Sequence, residues 1–338
     1  MAAFTPEFAP SRTPRPPQIT HRRGRRPWYR APVPDFNDPI LVTGANGHIG
    51  QALACAVSPR PVRALVRSDR AAAQLKALGD AATLEIRQVD YSDEDALLRA
   101  GEGCVSWVHL IGILKETRNA RYVDAHERPS EALARAAEKA GAKRIVSLSI
   151  LGAAPSSANA CLASKGRADA LLLEASVPAT VLRLPMVLGP NEIAAMALRG
   201  KALAPVAFLT RGGRSKEQPI DTRDVTNGIL SAVDDFSDEN RALDLAGPVS
   251  LSHRKLVERV ATVLGASGPF VVPVPYGLVA AFAAIAERFA ANPPLSRAML
   301  GVLDHDDEID PSSAARALGI DLTPLDETLR ATFPKDPK

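Results

Sequence analysis

From Pro39 onward the chain alternates short apolar runs with helical stretches, and this rhythm limits the possible folds more than any other feature. "PILVTGA", "PVRALVR", "LEIRQVD", "CVSWVHLIG" and "KRIVSLSILGA" read as strands. Between them, "HIGQALACAVS", "RAAAQLKALG", "SDEDALLRAG" and "ERPSEALARAAEKAGA" read as helices, the third with Ser92 as its N-cap. Strands separated by helices make βαβ units and a parallel sheet. Crossovers are right-handed, so the architecture that remains is α/β, a doubly wound parallel Rossmann sheet. The expected layout is a disordered basic tail over residues 1–38, a Rossmann unit over 39–185 and a smaller C-terminal substrate-side part over 186–335. Within that last part, "RALDLAG" (residues 241–247) is expected to return to the main sheet.

The opening stretch "LVTGANGHIGQAL" places Gly44, Gly47 and Gly50 after the first strand and at the start of the first helix. Gly44 permits the tight turn, Gly47 lets backbone approach a pyrophosphate, and Gly50 lets helix and strand pack closely. Asn46, His48 and Ile49 complete the turn, and the helix N-terminus offers free N–H groups to phosphate. A glycine triplet alone is weak, but strand before and helix after are the context such a motif needs.

An acid at the end of strand two would hold the 2′-hydroxyl of NAD(H). That place holds Arg67, followed by Ser68. A guanidinium there suits a 2′-phosphate, so NADP(H) is favoured over NAD(H), with Arg63 as a helper on the same strand face. Strand three ends at Asp90 and Tyr91, with Asp90 as acceptor for the adenine amino group. Strand four leads to Leu110, Ile111 and Gly112 beside the second ribose.

Composition sets outer bounds. Over 338 residues, 46% are apolar and 23% charged, which is ordinary for a globular protein, and a net charge of +3 gives no reason to expect nucleic acid. Cys55, Cys104 and Cys161 form no CxxC pair, so neither zinc nor a disulfide framework is expected, and a reducing, intracellular setting fits. The first 38 residues carry seven Arg against three acids and lack the apolar region of a secretory signal. Arg22, Arg23, Arg25 and Arg26 are the candidate contacts for a protein partner or an acidic membrane surface. No run reaches the ~18–20 apolar residues of a membrane helix. Residues 276–290 come nearest, and Glu287 and Arg288 break them, as expected of a core or surface helix.

Several longer motifs carry a resemblance. "VTGANGHIG", "VDYSDEDAL", "KRIVSLSILGA", "ASKGRADALL", "ATVLRLPMVLGP" and "QPIDTRDVTNGI" resemble the extended and atypical (NmrA-like, epimerase-like) short-chain dehydrogenase/reductase superfamily over residues 40–333. Within it, "HLIGILKE", "SILGAAPSS" and the tail beginning "PPLSRAMLGVLDHDDEID" are most similar to the complex I accessory subunit nine (alpha subcomplex) branch and its bacterial relatives. The resemblance implies a dinucleotide cofactor, with Leu184 and Pro185 passing the nicotinamide. It also implies a catalytic Ser, Tyr and Lys. Ser149 and Lys165 match the first and last, but Cys161 stands where the tyrosine belongs. The lysine keeps a ribose role without the tyrosine, whereas a shorter thiol does not reach the same point.

The remaining polar residues are quieter. Asp224 reads as a helix N-cap, the scattered histidines form no metal site, and the acidic run 304–310 reads as a solvated loop. His48, in the turn, reads equally as a donor to a phosphate or as a solvent-facing side chain. Two functions follow. The first is an NADP(H)-binding accessory or assembly subunit of a respiratory-type complex, cytoplasmic or peripheral on the inner face of the respiratory membrane. The second is an NADPH-dependent reductase or epimerase acting on a small carbonyl, quinone or nucleotide-sugar, using Ser149, Cys161 or a substrate-assisted proton path.

Overall fold

The computed structural model describes residues 38–334, so the expected basic tail up to residue 37, with the four candidate arginines Arg22, Arg23, Arg25 and Arg26, lies outside the described residues. The strands are β1 Ile40–Thr43, β2 Val62–Val66, β3 Leu84–Gln88, β4 Ser106–His109, β5 Arg144–Ile150, β6 Ala179–Leu184, β7 Val187–Leu188, β8 Val206–Thr210, β9 Lys216–Glu217, β10 Ile220–Asp221, β11 Arg241–Asp244, β12 Leu251–Ser252 and β13 Phe270–Val274. The helices are α1 His48–Val57, α2 Asp69–Lys76, α3 Glu94–Gly101, α4 Arg128–Lys139, α5 Ala160–Leu173, α6 Ile193–Leu203, α7 Thr222–Val233, α8 His253–Leu264, α9 Tyr276–Phe289, α10 Arg297–Leu303, α11 Pro311–Leu318 and α12 Leu325–Thr332.

The main sheet has seven strands in the order β11-β6-β5-β4-β1-β2-β3, all parallel. A strand covered on both faces is mostly apolar, and β1 follows this rule with three apolar residues and the buried Thr43. Ile40 and Val42 enter one core layer with Leu53 of α1, Leu75 of α2 and Ile229 of α7. Leu41 enters the other, with Leu97 of α3, Leu133 of α4 and Leu172 of α5. A third apolar cluster joins Leu198 of α6, Leu256 of α8 and Leu329 of α12. β11 joins the main sheet and α7 packs against it, although both follow Pro185 in the chain.

Several local expectations are corrected. The N-cap of α3 is Asp93, whose carboxylate accepts from Ala96 N, rather than Ser92. Asp221, not Asp224, caps α7 by accepting from Arg223 N. Asp224 lies inside that helix, buried, and accepts from the backbone N and hydroxyl of Thr323 at 2.8 and 2.7 Å. The acidic run is held down: Asp304 pairs with Arg211 at 3.2 Å, Asp307 N donates to Lys216 O, and Asp310 caps α11. α9 is a surface helix with only Ala283 buried. Among the described residues, no helix is long and apolar enough to cross a membrane, and no group of three or more His, Cys, Asp or Glu is placed to hold a metal ion.

Candidate functional site

The glycine turn is built as a cradle with little spare room. Gly44 takes φ +68°, and a Cβ there would stand 2.9 Å from Ile111 Cγ2. A Cβ on Gly50 would meet Ala45 O at 2.5 Å, so Gly50 sets the closeness of α1 to the turn. Gly47 is different: φ is −67°, and its Cβ would meet only Gly44 O, at 3.3 Å. Gly47 is also the N-cap of α1 and supplies no side-chain acceptor, which leaves the helix's first N–H groups to an anion. Asn46 is tied to α2 through Gln74 at 3.2 Å, and its carbonyl accepts from Gln51 at 2.7 Å. His48 faces Glu192 at 3.2 Å, so an acid from the α6 N-terminus sits beside the turn.

At the end of the site expected to take the adenine, Arg67 is exposed and its guanidinium carbon lies 5.6 Å from the centroid of the Tyr91 ring. Tyr91 is buried, its hydroxyl spent on backbone groups of Gly44 and Leu65. Asp90 is exposed, with Oδ1 accepting from Ser92 N at 2.9 Å. Arg63 does not help Arg67. It sits near the opposite end of β2, where it binds Glu85 at 2.7 Å and the carbonyl of Ala100 at 2.9 Å.

The carboxyl ends of β4, β5 and β6 open on a cavity of about 400 Å³. Ile49, Leu110, Ile111, Gly112, Ser149, Lys165, Leu184 and Pro185 all line it, so eight residues singled out in the sequence converge there. Lys165 is buried and donates to Leu148 O at 2.8 Å and Ile111 O at 3.4 Å. Burial lowers its pKa, against the pull of Asp169. Ser149 donates to Asp169 Oδ2 at 2.8 Å, and Arg183 binds the same oxygen at 3.1 Å. Burial raises the Asp169 pKa, and its bonds to Ser149 and Arg183 and the charge of Lys165 oppose that rise.

Cys161 is fully buried, is not part of the cavity wall, and its Sγ lies 3.6 Å from Ile113 O. Burial pushes its thiol up to about 11. Tyr122, from a segment far away in sequence, stands beside it. The Tyr122 hydroxyl donates to Leu114 O at 2.9 Å, and burial raises its pKa. The segment 113–114 thus accepts from both groups that otherwise qualify as proton donors.

His126, which no motif or spacing marks, lines the cavity from a π-helical turn, Val123–Glu127. Ser164 donates to Glu127 at 2.7 Å, so the Ser164 oxygen receives His126 Nδ1–H at 3.2 Å. His126 Nε2 then accepts from Ile113 N at 3.0 Å. Burial, then the charge of Lys165, lowers its pKa to about 4, so the ring is neutral. Glu192, Glu217, His305 and Asp307 are further polar residues of the wall. They arrive from loops and short elements far apart in sequence, and no motif spacing marks them.

Residues 44–235 match the NAD(P)H-binding family. The chain is 29% identical over 252 residues to the mitochondrial NADH dehydrogenase [ubiquinone] 1 alpha subcomplex subunit 9 of Arabidopsis thaliana, covering 72% of this chain and 62% of that protein. It is 28% identical over 229 residues to the (4-alkanoyl-5-oxo-2,5-dihydrofuran-3-yl)methyl phosphate reductase of Streptomyces griseus, covering 67% of this chain and 74% of that one. The crystal structure of the Citrobacter sp. triphenylmethane reductase complexed with NADP(H) superposes with a TM-score of 0.66 at 19% identity, over 86% of this chain and 99% of that one. That likeness shows the fold.

Proposed function

The chain belongs to the NAD(P)H-binding family, and on that premise we propose that it holds NADP(H) at a site stripped of its proton relay, as an accessory or assembly subunit of a respiratory-type complex. The carrying observation is Cys161: it occupies the tyrosine position, yet it is sealed behind Ile113 with its thiol pushed up to about 11. Ser149 is engaged by Asp169, so neither group presents a free proton to the cavity.

The cradle that a Cβ would crowd at Gly44 and Gly50 fits a pyrophosphate. In this reading the turn binds the phosphates, Arg67 the 2′-phosphate and Lys165 the nicotinamide ribose, while Leu184 and Pro185 flank the nicotinamide. The bound dinucleotide would supply hydride chemistry, and the chain's own residues bind it, orient it and keep water away. Likeness to a respiratory-complex subunit supports the partner class and, with it, a proposed peripheral place at the respiratory membrane.

The cavity favours a second reading, an NADPH-dependent reductase or epimerase whose substrate completes the proton path itself. The protein purified without added nucleotide is denatured to release NADP(H), and the intact protein is assayed with a quinone and carbonyl panel. Bound NADPH without turnover is the expected result. Steady NADPH oxidation on any acceptor would replace the accessory reading with the reductase.

A further inference from the structure

Beyond the cofactor cavity lies a second chamber of about 720 Å³. The two share a wall of Leu114, Met186, Ile193, Ala194, Glu217 and Leu303. The volume of the second alone is that of a small-molecule site. We propose that it binds the apolar tail of an amphiphile whose small head bears a hydroxyl or amide N–H, with Glu217 holding the head at the shared wall.

The tail assignment comes from the lining. Leu198, Leu209 and Leu300 are buried residues of its wall. Phe208, Leu278 and Phe282 line its mouth and remain 69%, 65% and 59% exposed. Three large apolar side chains left open around one chamber are an unsatisfied hydrophobic surface that a hydrocarbon would cover.

The head assignment comes from one carboxylate. β9 pairs antiparallel with β12, which places His253, the residue after β12, against Glu217. His253 Nδ1 lies 2.5 Å from Glu217 Oε1, and Lys201 Nζ lies 2.8 Å from His253 Nε2. The Lys201 ammonium can only donate, so His253 accepts at Nε2 and donates from Nδ1 to Glu217. Glu217 Oε1 is therefore satisfied, while Oε2 has no partner although the residue is only 6% exposed. A buried carboxylate oxygen without a donor is costly, and a ligand O–H or N–H removes the cost. A head offering only acceptors, such as an ester or a quinone, does not.

The proposal rests on the first cavity being the nicotinamide end of the cofactor site, and its test separates the two claims. The full chain, with and without NADPH, is titrated by calorimetry with N-acylethanolamines from butanoyl to tetradecanoyl, and with the matching methyl esters. Affinity should climb roughly threefold per methylene until the chamber is filled. The ethanolamides should exceed the esters by roughly tenfold. In Glu217→Gln, His253 claims the amide oxygen and the NH2 is turned to the ligand, so that advantage should vanish. Ala197→Trp, at an exposed position on α6 that lines this chamber alone, should flatten the chain-length series while NADPH binding persists. A flat series in the parent protein, an unchanged slope in Ala197→Trp, or esters that bind as tightly as ethanolamides would overturn the proposal. A normal series without any NADPH binding would leave the chamber standing and remove the cofactor reading instead.

Discussion

The Tyr91 hydroxyl accepts the backbone N–H of Gly44 at 3.0 Å and gives its own hydrogen to the Leu65 carbonyl at 2.8 Å. One phenol beyond β3 thus braces the glycine turn after β1 against β2. Tyr91 is only 4% exposed, so its role is to hold the cradle rather than to touch a ligand. Tyr91→Phe leaves a buried N–H and a carbonyl short of a partner, at a cost of roughly 1–3 kcal/mol. The expected outcome is a lower urea midpoint together with weaker NADP(H) binding. Unchanged values of both would show that the brace carries nothing.

Arg67 lies over the ring of that same tyrosine, with the guanidinium open to solvent. Its place at the end of β2, without an acid beside it, predicts NADPH binding at least ~10-fold tighter than NADH, as a charge-assisted bidentate contact allows. Calorimetric titration of both nucleotides against the parent and Arg67→Ala checks this. Equal affinities in the parent protein, or no loss in the variant, would remove the claim.

The glycines of the turn should separate binding from folding. Gly47 tolerates a Cβ with a small shift, since only Gly44 O lies near, at 3.3 Å. Gly47→Leu should therefore fold and fail to bind the dinucleotide. At Gly50 the obstructing atoms are all Ala45 backbone, the nearest at 2.5 Å, and backbone does not give way. Gly50→Ala should cost ~1–3 kcal/mol of stability before binding is considered. Thermal melts with and without NADPH distinguish the two, and a folded Gly47→Leu that still binds would end the phosphate-cradle argument.

What was legible in the sequence was local or periodic. The strand-helix rhythm, the glycine turn and the residues just past β4 and β6 need only neighbours in the chain to be recognised. What was missed depends on elements meeting in space. Glu217 and His253 are 36 positions apart, and Ser149 and Asp169 are 20 apart, joined by a strand pairing and a helix packing that no spacing reveals. Arg63 departs from expectation for a related reason: it lies near the start of β2, whereas Arg67 follows the end of that strand, where the cofactor is expected. Ser92 and Asp93 both suit a helix cap, and only geometry chose between them.

Buried neutral histidines set an acid limit. Burial, with the charge of Lys165 second, depresses His109 to about 3 and His126 to about 4. In the unfolded chain both titrate near ~6.5. Their contribution is complete above that value. It is lost as pH falls, because the unfolded state then takes protons that the folded state refuses. For His126 the loss by pH ~4 is roughly 3 kcal/mol. Urea midpoints measured across the acid range should decline, and less steeply in His126→Gln, which separates this histidine from the titrating carboxylates. An identical slope in the variant would show that His126 takes up its proton without unfolding the chain.

Cys161 and Lys165, four residues apart on α5, should behave in opposite ways. Cys161 is 0% exposed, its Sγ lies against Ile113 O at 3.6 Å, and burial holds the thiol near 11. At neutral pH it is therefore protonated and shielded, whereas Cys55 is exposed. Iodoacetamide should label Cys55 and spare Cys161 in the native protein. Cys161→Ser should alter neither NADP(H) affinity nor any turnover on quinones or carbonyls. Lys165 lines the cavity, and the two carbonyls that hold it, Leu148 O and Ile111 O, leave a third donor of the ammonium for a ribose hydroxyl. Lys165→Ala should weaken cofactor binding, measured by calorimetry, by more than any change in melting temperature explains. A Cys161→Ser variant that instead loses turnover by ~10²-fold, the usual worth of a general acid, would make the thiol a working proton donor and the protein an enzyme.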